Sequence, residues 1–167
     1  MSIEHTTLTG TGATVSRLSL GTMTFGAQAD EATSLRMVNT AIDGGINFFD
    51  TADAYGKGRS EEILGKALQG KRNRIVLASK GGIRPPIPYD SGAEALRSAC
   101  EASLGRLGVE RIDLYQVHRP DMYTHPAEVA STLDALVAEG KIGAGGVSNY
   151  APDQVSAELA GRGDKEE

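Results

Sequence analysis

The sequence predicts an α/β fold with a parallel sheet, on the basis of two observations. Short apolar runs that suit buried strands begin near residues 46, 75, 112 and 142, and helical patterns separate them. Their starts lie about 30 residues apart, which is the length that a strand–helix–strand unit requires. In addition, residues with acid–base chemistry stand where these runs end. Parallel strands bring their carboxyl ends to one edge of the sheet, where such folds place their functional sites.

The chain opens with a predicted hairpin and a first strand. Polar and β-branched residues alternate around two glycines within residues 6–18, which is typical of a small β-hairpin. Residues 18–22 are predicted to form the first strand. Gly21 permits close backbone approach at its exit, so contact with a cofactor or substrate and a simple glycine turn both remain open.

The stretch 46–55 carries the first residue with acid–base chemistry. Ile46, Phe48 and Phe49 form an apolar run of the kind found in strands covered on both faces, and Asp50 stands at its end. Asp50 is either a functional carboxylate or a residue that caps the following turn, because aspartate commonly starts turns.

Two further predicted strands repeat this arrangement. Lys80 follows the predicted strand 75–79, and His118 follows the predicted strand 112–117. Neighbouring strands lie about 4.8 Å apart, so side chains at adjacent strand ends meet. We therefore expect Asp50, Lys80 and His118 to lie within hydrogen-bonding range of one another or of a shared group. A fifth strand is predicted over residues 142–147.

Five helices are predicted, each from a start signal followed by an apolar stripe. The start signals are Asp30, Ser60, a capping box of Ser91 with Glu94, Pro126 and Pro152. Glu61 and Glu62 suit the positive end of the second helix and need no catalytic role. The residues predicted to face inward are Leu35, Val38, Ala41 and Ile42; Ile63, Leu64, Ala67 and Leu68; Leu96, Cys100, Leu104 and Leu107; Val129, Leu133, Leu136 and Val137; and Val155 and Leu159.

Several motifs together resemble the aldo-keto reductases, in particular those of bacterial type. They are GTMTFG at 21–26, FDTA at 49–52 leading to Tyr55, a Ser–Lys pair at 79–80, HRPD at 118–121 and GVSN at 146–149. Single pieces are weak signals, whereas the ordered set is specific. The resemblance implies a (β/α)8 TIM barrel, here an incomplete one with about five parallel strands plus an N-terminal β-hairpin that closes the barrel floor.

The resemblance also implies the roles of the site residues. The catalytic tetrad of the family falls on Asp50, Tyr55, Lys80 and His118. The residues implied to bind the cofactor are Gly21, Thr22, Asp50, Ser148 and Asn149. The Ser148–Asn149 pair would hold the nicotinamide carboxamide, since an amide needs both a donor and an acceptor. No metal is predicted.

The implied reaction is hydride transfer from NADPH to an aldehyde or ketone, with Tyr55 as the proton donor. A free tyrosine keeps its phenol proton up to about pH 10, so Lys80 would supply the positive charge that stabilises the phenolate. Asp50 would hold Lys80, and His118 would donate a hydrogen bond to the carbonyl oxygen. NADPH is the usual choice of the family, but nothing in these residues selects it over NADH.

Composition excludes some partners. The net charge is −5 and the pI is near 5.2, without a basic run, which argues against nucleic acid and anionic membranes. No apolar run approaches the roughly 20 residues of a membrane span. The single cysteine, Cys100, excludes an internal disulfide and falls on an apolar stripe. Because the first residues also lack the pattern of a signal peptide, we expect a cytoplasmic location and a small carbonyl substrate as partner.

Length leaves two interpretations open. The chain has 167 residues, whereas a complete barrel takes about 250. It is expected to form one partial domain over residues 1–160, with a disordered polar tail at 161–167 and a stiff loop at 81–89, where a substrate wall is favoured over a passive connection. The chain is either part of a reductase, or a truncated non-catalytic fragment or cofactor-binding subunit. Exposed strand edges would allow self-association, so we expect the polypeptide alone to be neither a stable monomer nor a competent reductase.

Overall fold

The structure, a computed structural model, describes residues 3–83 and 89–163. In chain order the elements are β1 (His5–Thr7), β2 (Thr14–Ser16), β3 (Ser19–Gly21), α1 (Glu31–Asp43), β4 (Phe48–Asp50), α2 (Arg59–Ala67), β5 (Val76–Gly81), α3 (Ala93–Leu107), β6 (Ile112–Val117), α4 (Pro126–Ala138), β7 (Ile142–Val147) and α5 (Pro152–Gly163). Short 3₁₀ turns lie at Tyr55–Gly58 and Arg72–Arg74.

One parallel sheet contains five of the seven strands. Its order, β3-β4-β5-β6-β7, follows the chain, and every neighbouring pair is parallel. This arrangement confirms the predicted incomplete barrel. Successive strands of a barrel are adjacent, and each returns through a helix.

The remaining strands, β1 and β2, form the predicted antiparallel hairpin. The Ser16 backbone N–H donates to Asn47 Oδ1 at 2.6 Å, and the Asn47 N–H donates to Ser16 Oγ at 3.1 Å. Asn47 immediately precedes β4, so the hairpin lies at the amino-terminal end of the sheet. That is the end opposite Asp50.

The hydrophobic core lies between the sheet and its helices. Side chains alternate between the two faces of a strand, and Phe49, Leu77, Tyr115 and Val117 point to the helix side, where they are fully buried. Cys100 belongs to the same core, as predicted, and burial raises the pKa of its thiol to about 12.

The other face of the sheet, called here the inner face, is much less covered. Phe48, Val76 and Leu114 alternate with core residues and are only partly buried, outside the core cluster. In a closed barrel such residues pack against one another in layers. Within the described ranges, β3 and β7 also lie at the two ends of the strand order, each with one strand neighbour in this sheet.

Some predicted helix signals are confirmed and others are wrong. The Asp30 carboxylate caps α1 by accepting from the Thr33 N–H at 2.7 Å, and Pro126 opens α4. Ser60 does not cap α2, because that helix begins one residue earlier, after Gly58. Nor do Ser91 and Glu94 form a capping box: Gly92 precedes α3 without a side-chain cap, and the Ser91 N–H donates to Asp121 instead.

Most of the predicted inward residues are buried or half-buried, but two are exposed. Val137 is 39% exposed and Leu159 is 61% exposed. In α5 the buried residue is Glu158, and Gly161 approaches α4 so closely that an added Cβ would lie 2.8 Å from the Ala127 Cα. The packed face therefore follows an i, i+3 spacing, whereas the apolar pattern suggested i, i+4.

The predicted tail and loop are only partly within the described residues. Helix α5 extends to Gly163, so residues 161–163 are helical. Residues 164–167, and residues 84–88 of the predicted substrate wall, lie outside the described residues. None of the helices in the described ranges is long and apolar enough to cross a membrane.

The incomplete burial of the inner face leads to a prediction for the isolated 167-residue polypeptide. We expect it to self-associate, because burying a large apolar side chain is worth about 1.5–3 kcal/mol and edge strands offer unpaired backbone groups. Mass in solution, measured by light scattering after gel filtration, should exceed that of a monomer.

Leu114→Glu on the inner face should reduce this association, whereas Leu159→Glu, which removes an exposed leucine from α5, should not. A monodisperse wild-type monomer, or an equal effect of the two variants, would contradict this prediction.

Candidate active site

An ion pair between Asp50 and Lys80 lies at the centre of the site. The Lys80 Nζ donates to Asp50 Oδ1 at 2.6 Å, to Oδ2 at 2.7 Å and to the Thr51 carbonyl at 3.0 Å. An ammonium has three donors, and all of these acceptors come from one strand end. The Lys80 side chain is only 8% exposed and that of Asp50 is 31% exposed. Lys80 lies within β5 and not after it, because the strand extends to Gly81.

Tyr55 and His118 complete the group of four. The Lys80 Nζ lies 5.3 Å from the centroid of the Tyr55 ring. The Tyr55 and His118 rings meet edge to face, with centroids 5.7 Å apart and planes at 84°. His118 directly follows β6, and its backbone N–H donates to the Gly81 carbonyl at 2.8 Å. The structure thus brings Asp50 and Lys80 into hydrogen-bonding contact and places the His118 ring against Tyr55, whereas no hydrogen bond among the described residues joins the His118 side chain to the pair.

Burial determines the state of the His118 imidazole. Burial lowers its pKa, the positive charges of Lys80 and Arg119 lower it further, and Asp50 opposes them. The imidazole is therefore neutral at physiological pH. Its Nδ1 is buried without a hydrogen-bond partner among the described residues. A proton on Nδ1 would be an unsatisfied buried donor, so the favoured tautomer carries its proton on Nε2.

Ser148 and Asn149 follow β7 and lie next to His118. The Ser148 N–H donates to the Val117 carbonyl at 2.9 Å, and the Asn149 Nδ2 donates to the His118 carbonyl at 3.0 Å. Asn149 has a φ of 61°, a left-handed conformation that asparagine tolerates better than most residues. The pair is tied to the end of β6 and remains partly exposed.

Gly21 and Thr22 differ in what they can offer a ligand. Gly21 is exposed beside Asp50 in the sheet register, and a Cβ added to it would have no heavy atom within 4 Å. Thr22 is fully buried, and its hydroxyl donates to the Asp50 carbonyl at 3.1 Å. The open space suits the role predicted for Gly21. The Thr22 side chain is instead used inside the protein, so its predicted cofactor contact has no support.

Sequence reasoning assigned no role to Glu61, which is fully buried in the structure. Its carboxylate accepts from Ser79 Oγ at 2.5 Å and from Arg106 Nε at 2.7 Å. Its position in the first turn of α2 predicted only a favourable interaction with the positive end of the helix. A signal existed, since Glu61 lies three residues before Leu64 and seven before Leu68, on the inward stripe of α2.

Asp53 is a second unusual carboxyl group. It lies between Asp50 and Tyr55, and its N–H donates to the Lys80 carbonyl at 3.1 Å. Its Oδ1 is buried without a partner among the described residues. Burial, and then the negative charge of Glu61, raise the pKa of the Asp53 carboxyl to about 6, against the opposing effects of the Ala54 N–H and Arg106.

The fold is that of an incomplete parallel barrel, and the site gathers Asp50, Tyr55, Lys80 and His118 at the carboxyl ends of its strands. The chain belongs to the aldo/keto reductase family, whose sequence model matches residues 17–162.

Similar proteins agree with this assignment. The chain is 50% identical over 135 residues to the 6-dehydroglucose reductase of Novosphingobium aromaticivorans, covering 75% of the chain and 44% of that protein. It is 40% identical over 162 residues to the aldo-keto reductase YhdN of Bacillus subtilis, covering 92% and 49%. A solved aldo-keto reductase from Bacillus halodurans, in its holo form, superposes with a TM-score of 0.87 at 32% identity, covering 95% of the chain and 54% of that structure. The chain spans about half the length of the curated relatives it matches.

The raised pKa of Asp53 predicts a pH-dependent stability. The folded state holds the Asp53 proton more tightly than the unfolded state, so stability falls as pH rises from about 4 through about 6 and the loss is complete above that range. Asp53→Asn should therefore raise the free energy of unfolding by about 1–2 kcal/mol at pH 8 and change it little at pH 4.

Urea unfolding of the native gene product at both pH values measures this difference. Asp43→Asn, which removes an exposed carboxylate at the end of α1, is the control for the loss of one negative charge. A gain for Asp53→Asn that is the same at pH 4 and pH 8 would argue against a raised pKa.

Proposed function

We propose that this chain carries the catalytic face of an NADPH-dependent reductase that converts an aldehyde or ketone to an alcohol, with Tyr55 as the proton donor. The observation that carries the proposal is that the Lys80 Nζ lies 2.6 Å from Asp50 Oδ1 and 5.3 Å from the centroid of the Tyr55 ring. This arrangement gives a phenol a nearby cation that cannot leave. A relative named as a reductase and a similar structure named as a glycerol dehydrogenase support carbonyl and alcohol chemistry.

The role of Lys80 follows from electrostatics. When Tyr55 gives its proton to the oxygen of the substrate, a phenolate remains, and a fixed positive charge lowers the energy of that anion. Asp50 holds the ammonium in place through both of its carboxylate oxygens, and the Lys80 side chain is only 8% exposed. Charges fixed before the reaction stabilise the transition state without a cost of reorganisation.

His118 is placed to orient the substrate. Its neutral imidazole, with the proton on Nε2, can donate a hydrogen bond to a carbonyl oxygen that also faces Tyr55. A charged imidazole next to Lys80 would be disfavoured by repulsion. The two rings therefore have different roles: His118 orients the carbonyl oxygen of the substrate, and Tyr55 protonates it.

The residues around the site fit a nicotinamide cofactor. Gly21 leaves open space beside Asp50, and Ser148 with Asn149 offers donors and acceptors suited to a carboxamide. When bound, the cofactor supplies the hydride. We propose NADPH, the usual choice of the family, although NADH would meet the same residues. A cytoplasmic location, with no nucleic acid or membrane as partner, is part of the proposal and accords with the acidic net charge.

A second candidate function is a non-catalytic subunit or fragment that binds the cofactor or a partner. The partly exposed inner face favours it, since a partner could cover that surface. Such a subunit would bind NADPH without reducing a carbonyl compound. Turnover of an aromatic aldehyde, measured alongside NADPH binding by fluorescence, separates the two functions.

Tyr55→Phe tests the proton donor. In the native gene product this change should lower carbonyl reduction by at least about 100-fold, because general acid catalysis contributes about 10²–10⁴-fold, and should leave NADPH affinity nearly unchanged. The measurement is steady-state turnover with a fluorescence titration of NADPH. Tyr115→Phe is the matched control, since the Tyr115 hydroxyl is buried on the helix side without a described partner. Near-normal turnover in Tyr55→Phe would remove Tyr55 from this role.

Lys80→Met tests whether the ion pair has a chemical role beyond stability. This variant should abolish reduction and, by leaving Asp50 unpaired, cost up to about 3 kcal/mol of stability. The double variant Asp50→Asn/Lys80→Met should recover much of the stability without recovering turnover, since neither charge remains. Urea unfolding and turnover are measured for both variants and for wild type. A normal pH–rate profile in Lys80→Met would refute the proposed role of the lysine.

A further inference from the structure

Three hydroxyl groups form a buried cluster on the helix side of the sheet, directly behind the Asp50–Lys80 pair. They belong to Thr22, which follows β3, to Thr51, which follows β4, and to Ser60 in the first turn of α2. All three residues are fully buried. The Ser60 Oγ lies 2.8 Å from Thr22 Oγ1 and 3.1 Å from Thr51 Oγ1. This hydroxyl cluster thus joins two strand ends to one helix.

The protons of the cluster have a consistent arrangement. Ser60 donates to the Thr22 carbonyl at 2.8 Å, and Thr22 donates to the Asp50 carbonyl at 3.1 Å. Thr51 then donates to the Ser60 oxygen. Each hydroxyl has one proton, and this assignment gives every proton an acceptor and leaves no buried donor unsatisfied.

The cluster is connected to both members of the ion pair through the backbone. The Asp50 carbonyl accepts from the Thr22 hydroxyl and also from the Thr22 N–H, at 2.9 Å. The Thr51 carbonyl is the third acceptor of the Lys80 ammonium. A displacement of residues 50–51 would therefore move the carboxylate and the carbonyl that together hold the Lys80 Nζ.

Lys80 has its own separate anchor on the helix side. The neighbouring Ser79 donates to the buried Glu61, which is paired with Arg106. Backbone bonds also tie the end of β4 to β5, from the Thr51 N–H to the Ala78 carbonyl at 3.0 Å and from the Asp53 N–H to the Lys80 carbonyl at 3.1 Å. Loss of the hydroxyl cluster would leave these bonds in place and loosen only the support that residues 50–51 receive from Thr22 and α2. The consequence would be a change in distance within the pair and not a general unfolding of the site.

We infer that Thr22 and Ser60 are positioning residues, which hold the Asp50–Lys80 pair from behind the sheet at the distance that the proposed reductase reaction requires. The inference rests on the proposed function for its effect on turnover. If these hydroxyl groups only stabilised the fold, removing one of them should have the same effect as removing any other buried hydroxyl. If they position the ion pair, removing one should disturb the Asp50–Lys80 pair in particular.

Two substitutions of Thr22 distinguish the effect of its hydroxyl group from the effect of its packing. Thr22→Val keeps the shape and removes the hydroxyl, whereas Thr22→Ser keeps the hydroxyl and removes a methyl group. Thr132→Val in α4 is the matched control, because Thr132 is also buried and its hydroxyl donates to a backbone carbonyl, that of Glu128, at 2.8 Å. All variants are made in the native gene product.

Two readouts are measured for each variant. The first is kcat and KM with NADPH and 4-nitrobenzaldehyde. The second, which does not depend on activity, is the rate at which acetic anhydride acetylates Lys80 relative to the surface residue Lys66, followed by peptide mass spectrometry. A looser ion pair leaves the Lys80 amine more accessible to the reagent, so its acetylation is faster.

We expect Thr22→Val to lower kcat about tenfold, as a small misplacement of catalytic groups does, with little change in the KM for NADPH, and to speed the acetylation of Lys80 several-fold. Thr22→Ser should restore both readouts to within about twofold of wild type, and Thr132→Val should change neither.

Wild-type acetylation of Lys80 in Thr22→Val, or an equal rise in Thr132→Val, would overturn the inference. The same holds if Thr22→Ser is as impaired as Thr22→Val, since packing would then explain the effect. If wild type does not reduce the aldehyde, the proposed function fails, and the acetylation rates still decide whether Thr22 positions the pair.

Discussion

A lysine that is almost fully shielded from water stays charged only where each of its N–H groups meets an acceptor. Lys80 meets this condition because β4 and β5 are parallel neighbours. Asp50 is opposite Ala78 in the register, and Lys80 is two residues further along the same face of β5. The strand end of β4 thus supplies the carboxylate and the Thr51 carbonyl together. A slip of one residue would turn Lys80 toward the helices and remove the site.

The two faces of the sheet carry different parts of the same site. Ser79 and Lys80 are adjacent in β5 and point in opposite directions: Lys80 meets Asp50, and Ser79 meets Glu61 on the helix side. The Asp50–Lys80 pair therefore lies on the inner face, and the groups that fix the strands, including the Glu61–Arg106 pair, lie on the helix side. The buried polar residues on the helix side are Thr22, Thr51, Ser60, Glu61 and Ser79. Each of them needs a hydrogen-bond partner, and the resulting bonds link β3, β4, β5, α2 and α3.

The sequence predicted the parallel strands and the contact of Asp50 with Lys80 at neighbouring strand ends, because both depend on regular spacing that any parallel sheet imposes. It did not predict which face Thr22 would take, nor that Ser60 would bond Thr22 instead of capping α2. Those outcomes depend on contacts between distant segments. Glu61 and its partner Arg106 are 45 residues apart in the chain, so no local pattern relates them. The exposure of Leu159 has the same origin, since the close approach of Gly161 to α4 selects the face that α5 buries.

The chemistry of the site and the exposed inner face are physically related. Asp50 and Lys80 point toward the same side of the sheet as Phe48, Val76 and Leu114, which are only partly buried, whereas the Lys80 side chain is 8% exposed. Five strands are therefore enough to organise the charges. Exclusion of water, which strengthens electrostatic stabilisation of a transition state, needs further cover on the inner face. Any segment, second copy or partner that covers Leu114 and its neighbours would also dry the surroundings of Tyr55 and His118, so association and activity should rise together.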